Sequence, residues 1–237
     1  MYNLMKTIPV FLASLLILLA VQAARADETR YYDIEVIIFE SKDASSRQSE
    51  LWKTDIQRAA PPIAVELGQP YPGPLPAGFN SKLTFKPLSK SNFRLAQENK
   101  LLQASDRYRI LYHNAWRQPG MDAKTALPVH IKQSFVQDMV PATTVPAYAQ
   151  QTRAELDGYI RIILSRYLHA EVDLMYTTGL PASSAYTAYP GTAPQQDIVP
   201  PVVYRLQESR RMRSTEVHYL DHPVLGVIVL VTPYENK

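Results

Sequence analysis

No cysteine occurs among the 237 residues. That excludes disulfides, thiol nucleophiles, Cys-ligated zinc, iron–sulfur clusters and acylation at a lipoprotein cysteine. Glycine is scarce as well, with 8 residues against 19 prolines. The ratio favours stiff, extended connections and leaves little room for phosphate-binding or dinucleotide-binding loops. An excess of one charge is also missing. Lys and Arg number 25 against 22 Asp and Glu, and without Lys6 and Arg25 the balance is 23 against 22. A nucleic-acid binder concentrates basic charge on one face, so no nucleic-acid partner is expected. Long apolar runs are confined to the first 26 residues.

That first segment reads as an address. Met1 to Lys6 carries one positive charge, Ile8 to Val21 is apolar, and Ala24-Arg25-Ala26 has the small-x-small cleavage pattern. Residues 1–26 are therefore expected to be a cleaved signal peptide. A membrane anchor is the alternative, but the apolar run falls short of the ~20 residues a span needs. The exported chain, 27–237, is expected to form one domain without membrane attachment. Its composition, 46% hydrophobic in the whole chain, suits a sizeable core.

Period-two alternation marks the strands. In Tyr31 to Glu40, the residues Tyr32, Ile34, Val36 and Ile38 share one face, with Asp33, Glu35, Ile37 and Phe39 on the other. Six prolines between Pro61 and Pro76 forbid a central strand or a helix there. Ser91 is a plausible N-cap for a short helix through Ala104, with Leu95, Asn99 and Leu102 on one face. Arg107 to Gln118 reads as a strand with Tyr108, Ile110, Tyr112 and Trp116 together. The next forty residues read as irregular. Asp157 to Tyr176 then alternates throughout, as one long bent strand or as two strands joined near Arg166. Val202 to Met212 alternates again, and Leu225 to Val231 is apolar on both faces, as in a central, doubly covered strand. The expected fold is α+β: a mainly antiparallel sheet with a few short helices and long Pro-rich connections.

Catalytic signatures are missing. There is no G-x-S-x-G elbow, S-x-x-K motif or phosphate loop, and no enzyme activity or cofactor is expected. His218-Tyr219-Leu220-Asp221-His222-Pro223 mimics an inverted zinc motif, but Pro223 stops the helix that motif requires. A turn whose Asp221 and His222 bond to backbone is the better reading, and no metal is assigned. Glu208 to Ser214 holds three arginines within four residues. Arginine forks match carboxylates and phosphates, so Arg211 and Arg213, two apart on one strand face, could form an anion-recognition strip. On physical grounds the reading to favour is that the three arginines pair internally with Glu171, Asp173 or Glu208. Fifteen tyrosines and two tryptophans add rings on which sugar C–H faces stack, although sheet packing would use most of them. Arg211, Arg213, Tyr167 and Trp116 are the candidate ligand contacts.

Five blocks carry a resemblance: Tyr32 to Phe39, Leu111 to Gln118, Arg166-Tyr167-Leu168-His169, Glu208 to Ser214, and His218 to Pro223. Together they resemble the CsiV family of exported gammaproteobacterial proteins, described as peptidoglycan-binding. The C-terminal blocks are the specific ones. The resemblance implies a periplasmic, non-catalytic accessory protein that binds peptidoglycan and supports cell-wall assembly and cell shape. It also implies a partner, the lipoprotein activator of a bifunctional penicillin-binding protein. A rival reading is an envelope protein–protein interaction module acting on that activator, with polymer binding incidental.

Overall fold

The computed structural model describes residues 29–43, 45, 56–138, 151–181 and 201–235. The segment expected to be a signal peptide and the charged stretch around Trp52 lie outside these residues. Among the described residues the chain is mostly antiparallel sheet, with one α-helix, α1 (Ala96–Gln103). One sheet has five strands in the order β2 (Lys86–Pro87), β3 (Tyr108–Pro119), β1 (Tyr31–Ser41), β9 (Leu225–Tyr234) and β8 (Val217–Asp221). The other has four in chain order: β4 (Val129–Asp138), β5 (Gln151–Leu164), β6 (Leu168–Pro181) and β7 (Val202–Met212).

The alternation in β1 shows how the sheets meet. Ile34, Val36 and Ile38 are fully buried, in one apolar core with Val227, Val229 and Val231 of β9 and Ile160, Leu174, Tyr176 and Leu206 of the four-stranded sheet. Two sheets sharing one core make a β-sandwich. On the outer face of the five-stranded sheet, Ile37, Phe39 and Leu230 bury Leu95, and Leu102 of α1 packs against them. The helix thus covers the second face of β9, which is paired on one side by β1 and on the other by β8. Gly226 makes room for this packing, because a Cβ there would lie 2.2 Å from Cζ of Phe39.

Four expectations are revised or resolved. The long alternating stretch is two strands, β5 and β6, forming a hairpin whose turn includes Arg166. The residues after Pro119 are not all irregular, because β4 lies among them as an edge strand beside β5. In β3, a register shift opposite Ile38 and Phe39 leaves Leu111 unpaired with β1. A bulge of this kind flips the alternation. Trp116 and Tyr112 therefore pack with the shared core, while Tyr108 and Ile110 pack under α1. Finally, α1 begins at Ala96, and the Ser91 hydroxyl bonds Ser89 and Asn92 instead of capping it. Among the described residues the helical elements are α1 and a 3-10 turn at Lys90–Asn92, so there the helical part of the expected α+β fold rests mainly on α1.

Candidate functional site

The outer face of the four-stranded sheet is polar and carries a groove of about 570 Å³. Its floor follows from strand alternation, since residues two apart share a face. Tyr159 and Arg161 of β5 stand opposite Asp173 and Glu171 of β6, which in turn stand opposite Gln207 and Ser209 of β7. Arg161 donates to Glu171 at 2.8 Å through Nε, and Arg205 grips Asp173 with two bonds of 2.9 Å. The groove's apolar lining comes from Pro61, Pro62 and Ile63 and from Leu127 with Pro128.

The proline stretch belongs to an arch, residues 58–66, tied to the sheet at both ends. At one end Arg58 donates to the carbonyl of Asp157 at 2.8 Å and to its carboxylate. At the other, Val65 lies alongside β4, donating to Pro128 at 2.8 Å and accepting from His130 at 2.9 Å. His130 links the two ends. Its Nδ1 is 2.5 Å from Glu66 and its Nε2 is 3.2 Å from Asp157. Tyr159 lies beneath both, with its ring 5.0 Å from the His130 ring and 4.6 Å from the Arg58 guanidinium carbon. Burial pushes the Asp157 carboxyl up, but the hydrogen bonds from Arg58 and His130 outweigh it and hold the group below the usual carboxylate range.

Beyond Ser209 the same face ends in a cationic corner. Arg211 stands opposite His169 and lays its guanidinium 3.3 Å from the ring centre of Tyr167, with Arg166 5.6 Å from that ring. Two of the acids named as internal partners are engaged elsewhere, Glu171 by Arg161 and Asp173 by Arg205, while Glu208 pairs with Arg210 of the arginine cluster itself at 3.3 Å. Among the described residues Arg211 has no carboxylate partner. Arg213 lies past the end of β7, highly exposed, with Glu216 at 3.5 Å. Arg210 turns away to the Tyr219 carbonyl at 2.9 Å.

The structure therefore brings Tyr167 and Arg211 into contact and leaves Arg213 on the adjoining turn. Trp116 is elsewhere: it is fully buried, and its indole N–H is donated to Gln118 at 2.8 Å. It packs the core and offers no surface to a ligand, which corrects its placement among the candidate contacts. His218 and His222 do not converge either. The first accepts from the Arg213 N–H at 3.1 Å, and the second from Val224 and Leu225 at 3.1 and 3.3 Å. Asp221 accepts the Tyr219 hydroxyl at 2.6 Å rather than bonding to backbone. No cluster of three metal-ligating side chains occurs among the described residues.

Sequence reasoning missed the groove floor. Its signal was present in the odd face of the β5–β6 stretch, where Tyr159, Arg161, Glu171 and Asp173 replace the apolar residues of the even face. A ring, paired guanidinium and carboxylate groups, and apolar walls together suit a ligand with hydroxyl, amide and charged groups along an otherwise apolar body.

A family model described as "Peptidoglycan-binding protein, CsiV" matches residues 11–234. The chain belongs to the CsiV family. Members carry a description that names the cell-wall polymer as the ligand, and this points CsiV proteins to the cell envelope. Neither a curated protein nor a solved structure matches the chain. No helix among the described residues of this CsiV protein is long and apolar enough to cross a membrane.

Proposed function

We propose that this protein is a non-catalytic periplasmic accessory factor of cell-wall assembly that grips peptidoglycan along the outer face of its four-stranded sheet. The observation that carries this reading is the groove and the corner on one continuous face. Amino sugars lie against Tyr159 and the proline wall, with hydroxyl and acetamido groups bonded by Arg161, Glu171, Gln207 and Ser209. Stem-peptide carboxylates reach Arg211, whose guanidinium edges remain available while its face rests on Tyr167; Arg213 supplies a second positive charge. A groove of this size lies within the range of small-ligand sites, so it accommodates a short stretch of polymer and not a whole strand.

The signal segment delivers the chain to the periplasm, where it supports cell shape through contact with the wall and with the lipoprotein activator of a bifunctional penicillin-binding protein. The test is co-sedimentation with purified sacculi at two salt concentrations. Arg211→Ala combined with Arg213→Ala is expected to weaken binding severalfold and to flatten its salt dependence, with melting unchanged. Wild-type binding by this variant would remove the corner from the site. Early melting would instead assign the arginines a structural role.

A further inference from the structure

We propose that His130 is the positioning residue of the groove: as an imidazolium held between Glu66 and Asp157, it fixes the arch that forms the proline wall. This rests on the groove as the polymer site. Both ring nitrogens of His130 face carboxylate oxygens, Glu66 at 2.5 Å and Asp157 at 3.2 Å. A carboxylate only accepts, and a neutral imidazole has one N–H, so only the doubly protonated ring donates to both. Loss of that proton sets a lone pair against a lone pair at one contact.

The two contacts are unequal. Asp157 is also held by Arg58, while Glu66 is 55% exposed and free to turn to water. Deprotonation therefore releases the Glu66 end. Tyr159 from β5 stacks on the ring, Arg58 from the arch lies over Tyr159 in turn, and Lys132, two residues along β4, is occupied by Glu155 at 3.7 Å. Among the described residues no other side-chain donor contacts the Glu66 carboxylate. At the opposite end the Nε–H of Arg58 is buried without a partner among the described residues, so that end depends on the outer guanidinium nitrogens, which bond Asp157 and, at 3.5 Å, the Asp173 carbonyl. The chain Glu66–His130–Asp157–Arg58 thus adds to the two Val65 backbone bonds that hold the wall, and its loss loosens the arch. Removing one ring proton from His130 therefore loosens the arch and changes the width of the groove.

The experiment reads the arch without any polymer. Backbone amide exchange is measured for Val65, whose N–H is bonded to Pro128, with Val229 of β9 as the internal reference. The relative protection of Val65 is expected to fall on the order of tenfold between about pH 5.5 and about pH 8.5. In His130→Gln it should be low at both, and in His130→Arg, which keeps two charged donors, it should be high at both. Sacculus binding by the three proteins should follow the same order. A pH effect on binding counts only if it disappears in His130→Gln. Constant Val65 protection in the wild type, or His130→Gln behaving as wild type, overturns the positioning role. Ser209→Trp, which fills the groove, separates the two readings. If it abolishes binding while His130→Gln changes neither protection nor binding, His130 is not the positioning residue and the groove stands. If it leaves binding intact, the groove is not the polymer site, and Val65 protection alone decides whether His130 holds the arch.

Discussion

Glu35 on β1 caps Leu95 across 60 residues of chain: its carboxylate accepts the Leu95 N–H at 3.1 Å and that of Arg94 at 2.5 Å. These amides stand at the start of α1, where a helix has unsatisfied donors. His113 completes the arrangement at 2.8 Å from Glu35. The carboxylate is almost fully buried, and its partners are what make that tolerable. Glu35→Ala should cost roughly 2–4 kcal/mol, since it strands the buried Leu95 donor and the partly buried Arg94 donor and loosens α1 from the sheet. Glu35→Gln, which keeps an acceptor, should cost less. Urea unfolding monitored by circular dichroism checks both, and equal stability of Glu35→Ala and wild type would contradict the cap.

Gly226 sits under the Phe39 ring, and Gly226→Ala should destabilise the protein by about 1–3 kcal/mol through overpacking. Phe39→Leu should relieve part of that penalty in the double variant, because a smaller side chain vacates the space. Thermal melting of the four proteins forms a double-mutant cycle. Strict additivity would show that the two positions do not press on each other.

Asp157 makes the fold sensitive to acid. Its carboxyl is held below the usual range despite burial, so it contributes stability at pH above its unfolded value, ordinarily ~3.9. That contribution is lost as pH falls through the lower folded value. Between about pH 5 and about pH 2 the wild type should lose more melting temperature than Asp157→Asn, which has no such proton to take up. Parallel losses in the two proteins would mean that Arg58 and His130 contribute nothing through Asp157.

Much of the sandwich was legible because strand alternation is a local signal. The faces of β1, β5, β6 and β7 follow directly from residues such as Ile34, Ile160, Leu174 and Leu206, and the apolar run of β9 declared both its faces covered. β4 was obscured: its inward residues Val129 and Ile131 are followed by Gln133 and framed by Pro128 and Pro141. The bulge in β3 leaves no mark on composition, so Tyr108 and Trp116 read as neighbours although they serve different cores. The start of α1 was misplaced because its cap comes from a distant strand. Alternation also assigns faces without saying which is covered, hence the misreading of Trp116. In the candidate site, Arg211 and Tyr167 were visible as chemistry, whereas the arch was not. Its contacts, Arg58 to Asp157 and Glu66 to His130, span 99 and 64 residues, and no local pattern encodes them.

The most direct measurement is sacculus co-sedimentation by Ser209→Trp, with melting recorded on the same sample. Ser209 is exposed on β7 and lines the groove, and no ion pair depends on it. An indole there fits strand geometry and occupies the space between Glu171 and the proline wall. The account predicts an unchanged melting temperature with binding reduced at least tenfold. A folded Ser209→Trp protein that sediments with sacculi as the wild type does would contradict it.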